Sequence, residues 1–304
     1  MTWMIPKVLG CAPVLDLDPL RAENAVPPRA AATVLVLRDD GGPLRVYVIV
    51  RHPKSAFMGG VLAFPGGKVD KHDEDPSWED LSTPPSERLA EAAGGGETPL
   101  PASPRALAVA ACRECLEEAA LLPTEGNALH GAGPAELRAA VEAGKLLREE
   151  LTRRSWKLDL AALRPFARWV TPTAEARRFD AMFFLLVRPE GQEGDHDPHE
   201  TTGGEWATPR ALIDRFERGE LMLAPPTLRS LELLLPCGSV VEALALAERQ
   251  SLRPVRPALA SDGAVPLLVL PGDPLHPERV AVVAGPTRFA LRHGRFVSED
   301  APVG

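Results

Sequence analysis

Arg113-Glu114-Cys115-Leu116-Glu117-Glu118 lies inside a run from Arg105 to Leu122 that contains neither proline nor glycine. Ser103 offers an N-cap oxygen and Pro104 a preset φ at the first helical position, so the run predicts a helix. At about 100° per residue, Glu114, Glu117 and Glu118 fall within roughly a 100° arc of one face. Ala108, Cys112, Cys115, Leu116 and Ala119 fall on the opposite side and can enter a core. Like charges four positions apart cost a helix only about 0.2–0.5 kcal/mol per pair. Taken alone, the hexamer therefore also reads as a solvated acidic face without function.

Upstream stands Phe64-Pro65-Gly66-Gly67, where a short strand over Val61 to Phe64 ends in a glycine turn. Three carboxylates from one helix, together with carbonyls freed by that turn, make an oxygen-only site suited to Mg²⁺ or Mn²⁺. Arg113 neighbours Glu117 on the wheel and can hold a carboxylate in its ligating rotamer by a charge-assisted bond.

The rest of the chain alternates strands and helices. Ala31–Leu37 and Leu44–Val50 read as strands of a hairpin turned by Asp39-Asp40-Gly41-Gly42. Further strands are expected over 166–170, 179–187 and 205–207, and helices over 134–154, 209–218, 226–235 and 240–250. Residues 71–102 are rich in Asp, Glu, Pro, Ser and Gly and read as a long insertion, mobile or with one short helix at Glu87–Ala93. Gly94-Gly95-Gly96 has no following Lys-Ser/Thr and reads as linker. After about residue 254, short apolar runs at 265–270, 280–283 and 288–291 suggest a small β appendage. The organisation expected is a flexible leader over 1–29, one catalytic domain over 30–250 containing the 71–102 insertion, and a C-terminal β extension over 251–304.

Of 304 residues, 45% are hydrophobic and 25% charged, ordinary globular composition that excludes a disordered, collagenous or coiled-coil chain. With 42 acidic against 34 basic side chains the net charge is -8, so no overall positive field draws the chain to nucleic acid. Four cysteines do not make a disulfide framework, and a reducing cytoplasm is the expected home. No apolar run reaches membrane-spanning length. Cys112-x-x-Cys115 places both thiols on the core side of the helix, against a redox or zinc role. His52, His72, His130, His196 and His199 have no metal-ligand spacing with one another.

The glycine turn followed by Arg113-Glu114-x-x-Glu117-Glu118 resembles the Nudix box, G-x5-E-x7-R-E-U-x-E-E-x-G-U with U aliphatic. Three departures stand out. Arg113 lies 46 positions after Gly67 where the pattern allows 14, an insertion of about 32 residues. Counted back from Arg113, the middle Glu of the box falls on Arg105. The closing Gly is Ala120, and Cys115 stands for the aliphatic. The insertion, together with Arg168-Trp169-Val170-Thr171-Pro172, Arg178-Phe179-Asp180 and Leu223-Ala224-Pro225-Pro226-Thr227, is similar to the coenzyme A diphosphatase-like branch of the Nudix hydrolases over roughly residues 30 to 240. His199-Glu200 before Glu205-Trp206 has the form of a loop on which Nudix enzymes place a further acid.

The resemblance implies a Nudix α/β/α sandwich with a mixed β-sheet. It implies hydrolysis of a diphosphate bond, with Mg²⁺ or Mn²⁺ held by Glu114, Glu117, Glu118, Glu200 and the Gly66 carbonyl. Glu200 or a box glutamate would serve as base, and Arg113 would orient the carboxylates. Coenzyme A or acyl-coenzyme A is the substrate it favours. Broad nucleotide housecleaning, decapping and a non-catalytic nucleotide sensor are the alternatives. Arg51, Lys54, Arg177 and Arg178 are the cations expected to meet the diphosphate, and Trp169 and Phe179 the rings expected to stack on a base or pack in the core. The partner is a small nucleotide, with no membrane and no general nucleic-acid binding; a homodimer is compatible with this reading.

Overall fold

The computed structural model describes residues 25–52, 60–95, 98–197, 199, 201–263 and 265–302. Most of the expected leader thus lies outside the described residues. In chain order the elements are β1 (Arg29–Arg38), β2 (Arg45–Arg51), β3 (Leu62–Ala63), β4 (Gly66–Lys68), α1 (Trp78–Leu81), α2 (Glu87–Gly95), α3 (Pro104–Ala119), α4 (Gly133–Glu142) and α5 (Leu147–Arg154). There follow β5 (Arg164–Val170), β6 (Phe179–Val187), β7 (Thr201–Ala207), α6 (Pro209–Glu217), α7 (Pro225–Leu234) and α8 (Val240–Arg249). The chain then runs through β8 (Pro254–Val255), β9 (Ala258–Asp262), β10 (Val265–Val269), β11 (Arg288–Arg292) and β12 (Arg295–Glu299).

β1 is buried on both faces, and its alternating side chains divide the core. Val34 and Val36 face a layer containing Leu107, Cys112, Cys115 and Leu116 of α3. Leu35 and Leu37 face Leu212 of α6, Leu231 of α7 and Ala243 of α8. The mixed sheet between these layers has the order β3-β2-β1-β6-β5-β8, with β4 on β1 and β7 on β2. β1 runs parallel to β6 from Arg29↔Phe179 to Leu37↔Val187 and antiparallel to β2, closing the expected hairpin at Leu37↔Val46. β4 lies antiparallel on β1, pairing Thr33 with Gly66 and Ala32 with Gly67. This is the expected three-layer sandwich.

Three expectations are corrected. The single helix over 134–154 is two, because Gly144 takes φ +87° between α4 and α5 and so leaves the helical path. The strand expected over 280–283 is irregular, whereas β9 and β12, as long as their neighbours but interrupted by polar residues, complete an antiparallel sheet β12-β11-β10-β9. The insertion is docked rather than loose. Trp78 and Leu89 are buried in the core on the α3 side. Arg88 donates to the carbonyls of Pro165 (2.7 Å), Ala247 (2.6 Å) and Gln250, and Arg168 donates to those of Thr98 (3.2 Å) and Pro99 (2.8 Å).

The C-terminal sheet is likewise fastened to the sandwich. Arg229 of α7, 1% exposed, donates to the carbonyls of Ala284 and Pro286 at 2.7 and 2.6 Å. Leu268, Leu270, Phe289 and Phe296 share the core cluster of α6–α8. Among the described residues no helix is long and apolar enough to cross a membrane.

Candidate active site

α3 starts where the capping chemistry puts it: Ser103 Oγ accepts from the Ala106 N–H at 3.1 Å, with Pro104 at the first turn. Its apolar side is sealed in the core, so the acidic side is turned to the strand end at Gly66–Lys68. Burial pushes the Cys112 and Cys115 thiols far up, which leaves them inert packing groups.

Arg113 organises the acids. Its Nε and one Nη2 hydrogen bond Asp73 at 2.9 Å each, its other Nη2 bond goes to the Lys68 carbonyl at 3.0 Å, and Nη1 meets Glu114 at 2.8 Å and Glu117 at 2.9 Å. The planar fork has five N–H groups, and this arrangement uses all of them. Asp73 also accepts the Asp70 N–H at 2.8 Å.

Asp73 does not show up when the box spacing runs backwards from Arg113, because the insertion lies between them. Counted forwards, Asp73 stands six positions after Gly67, where G-x5-E places its acid. The insertion follows that acid instead of displacing it. Arg105, onto which the backward count fell, faces the insertion: it donates to Ser82 Oγ at 2.5 Å and reaches the Trp78 and Thr83 carbonyls at 3.4 Å.

Glu118, 3% exposed, accepts the Gly66 N–H at 2.8 Å, while Arg51 Nη2 donates to the Gly66 carbonyl at 3.1 Å and lies 3.7 Å from Glu118. The Glu114 carboxylate rests on Gly67, where a Cβ would come within 2.4–2.6 Å of its atoms. Both glycines therefore serve close approach of a carboxylate or strand to the backbone.

Within this cluster Glu114, Glu117, Glu118 and Asp73 face two guanidiniums, Arg113 and Arg51. Burial raises the Glu114 pKa above the ordinary carboxylate value, against the pull of Arg113. Burial also raises that of Glu117 to about 7, with the Glu114 charge adding to it and Arg113 opposing. Arg113 is held firmly charged: burial opposes this, but the hydrogen bonds and charges of Asp73, Glu114 and Glu117 outweigh it. Among the described residues no three Asp, Glu, His or Cys side chains converge closely enough to surround one ion. Glu114 and Glu117 are turned to Arg113, and Glu118 to Gly66. The donors are nonetheless all hard oxygens, with two negative charges in excess once all four acids are ionised, a set that fits a divalent cation of the Mg²⁺ or Mn²⁺ class.

Of the other expected residues, Glu200 and Lys54 lie outside the described residues. Arg51 is at the site. Trp169 is 3% exposed and packs in the α6–α8 core, so its ring has no free face for a base. Phe179 is half-buried at the start of β6, at the sheet end shared with β4, since Ala31 pairs with both Ala181 and Lys68. Arg178 donates to the Thr171 and Val26 carbonyls at 3.1 and 2.8 Å, and Arg177 is exposed. Exposed His199 and half-buried His196 lie on the loop before β7.

Residues 27–234 match the NUDT19 Nudix domain. The chain is 30% identical over 273 residues to the acyl-coenzyme A diphosphatase NUDT19 of Gallus gallus, covering 75% of this chain and 71% of that protein. It is 27% identical to the Homo sapiens protein of the same name, covering 77% and 72%. Among solved structures, a Nudix hydrolase from Alicyclobacillus acidocaldarius superposes with a TM-score of 0.58 at 29% identity, covering 72% of this chain and 96% of that one. The chain is therefore a Nudix hydrolase and belongs to the NUDT19 Nudix-domain family.

Proposed function

We propose that the protein hydrolyses the diphosphate bond of coenzyme A or acyl-coenzyme A to 3′,5′-ADP and (acyl-)4′-phosphopantetheine. The observation that carries the proposal is the five-bonded Arg113, which fixes Glu114 and Glu117 beside Glu118 and Gly66 in a site short of positive charge. The relatives' names supply the substrate class.

Glu114, Glu117, Glu118 and the Gly66 carbonyl, with Glu200, are the proposed holders of Mg²⁺ or Mn²⁺. When bound, such ions neutralise the diphosphate and lower the pKa of water. The protein's part is positional. Arg113 sets the carboxylate rotamers, and Gly67 lets Glu114 lie against the backbone. Arg51 offers a cation beside Gly66 for a substrate phosphate. The attacking water bonds one phosphorus as the bridging P–O bond breaks, and its proton passes to Glu200 or to Glu117, whose side chain is 31% exposed. A cytoplasmic setting accords with the free thiols of Cys112, Cys115 and Cys237.

The test is product analysis across coenzyme A, acyl-coenzyme A, NADH, ADP-ribose and capped RNA, with Mg²⁺, with Mn²⁺ and with EDTA. Metal-dependent release of 3′,5′-ADP from coenzyme A compounds at a higher kcat/KM than the others supports the assignment. Preference for another substrate assigns housecleaning or decapping, and binding without cleavage of any assigns a sensor.

A further inference from the structure

We propose that the insertion within the Nudix box is a splint for the catalytic acids, and that Trp78 is its positioning residue. The inference deepens the metal-dependent reading of the site and rests on it.

Trp78 is 3% exposed. Its indole N–H needs a partner when buried, and it finds the His72 carbonyl at 2.7 Å. That carbonyl belongs to the peptide leading into Asp73, whose carboxylate receives two bonds from Arg113. Trp78 therefore sets the plane from which Asp73 projects. At its other end, the Trp78 carbonyl accepts from Ser82 Oγ at 2.6 Å and lies 3.4 Å from Arg105 Nη1, on the first turn of α3. One residue thus touches both ends of the break in the box: the Gly67–Asp73 half through its side chain, and the helical half through its backbone. The path continues from Asp73 through Arg113 to Glu114 and Glu117. Without the splint, loop closure over the insertion would leave Asp73 free to drift from Arg113.

Trp78→Phe keeps a ring in the core but removes the N–H, leaving the His72 carbonyl without that donor. Loss of such supporting bonds typically costs about 10–100-fold in metal affinity or activity. The experiment measures Mn²⁺ affinity by titration calorimetry, kcat and KM on the diphosphate substrate, and Tm. The control is Leu89→Ala, which opens a cavity at a 1%-exposed insertion residue in the same core cluster. Trp78→Phe is expected to weaken Mn²⁺ binding and lower kcat, each about tenfold, with KM nearly unchanged. Leu89→Ala is expected to lower Tm while leaving Mn²⁺ affinity at the wild-type value. Wild-type Mn²⁺ affinity in Trp78→Phe overturns the proposal. So does an equal loss of affinity in Leu89→Ala, because burial alone would then account for both. If the wild-type chain cleaves no diphosphate, the functional reading fails, and the Mn²⁺ titrations still decide the splint.

Discussion

Asp73 and Arg113, 40 residues apart in sequence, meet through two N–H···O bonds of 2.9 Å, the aspartate being 2% exposed. This bidentate pair joins the two halves of an interrupted motif. Asp73→Ala would leave two N–H groups of Arg113 without their acceptors while Glu114 and Glu117 still balance its charge, so it is expected to lose about 1–3 kcal/mol of stability in urea unfolding. Asp73→Asn, which keeps one acceptor, should lose less stability, yet still reduce kcat about tenfold as Arg113 reorients. Unaltered turnover in both variants would detach the pair from the site.

The adjacent glycines should fail differently when each is replaced by alanine. At Gly66 a Cβ would come within 2.5 Å of the Ala32 carbonyl and 2.8 Å of Thr33 Cα, both strand backbone that cannot yield without breaking the β1–β4 pairing. At Gly67 the nearest atoms it would meet are the far end of the Glu114 side chain. Gly66→Ala should therefore express poorly or melt much earlier. Gly67→Ala should fold and bind substrate, yet lose most turnover because Glu114 is displaced. Comparing melting curves with turnover for the two proteins checks this; equal damage to stability in both would contradict it.

The α3 face was legible because a helix's period and a Ser-Pro start leave little freedom, and β1, β2 and β6 because long apolar strands stand out. Asp73 was legible too, by spacing from Gly67, but an insertion makes the count depend on which end it starts from. The docking of residues 71–102 was hidden because it rests on arginine side chains, Arg88, Arg105 and Arg168, bonding backbone carbonyls far away in sequence. Side-chain-to-carbonyl bonds impose no periodicity on either partner. The two readings of Trp169 stayed open for a related reason: composition marks an aromatic but not which sheet face it takes, and β5 turns it into the core.

Ala120 explains one departure from the box. It caps α3 in the left-handed region at φ 48°, ψ 41°, where glycine is at ease and alanine carries a penalty of roughly 1–2 kcal/mol. The residue is 5% exposed, so its methyl returns about 0.8 kcal/mol through burial. Ala120→Gly, which restores the family residue, should give a small net gain in stability, below about 1 kcal/mol. Urea unfolding followed by fluorescence reads the sign. A destabilised variant would mean that packing of the methyl outweighs the backbone penalty.

The box acids should make the metal-free protein sensitive to pH near neutrality. Burial first, then the Glu114 charge, raises the Glu117 carboxyl from 4.5 to about 7 against the pull of Arg113, and Glu114 is shifted the same way. A carboxyl with a raised folded-state pKa binds its proton more tightly in the folded chain than in the unfolded one. Its contribution to stability is therefore full below about pH 4.5 and is lost progressively as pH rises to about 7. In EDTA, stability should fall across that window, and Glu117→Gln, which cannot ionise, should show a shallower fall. A divalent cation must displace the same proton, so apparent Mn²⁺ affinity should climb with pH, by up to about tenfold per unit, and level off above about 7. Saturating Mn²⁺ should correspondingly stabilise the wild-type protein more at pH 8 than at pH 5. Melting curves in EDTA and in Mn²⁺ at pH 5, 6, 7 and 8 for both proteins test each sign. Identical EDTA profiles for wild type and Glu117→Gln would show that Glu117 titrates alike in the folded and unfolded chains, and that its burial costs the site nothing.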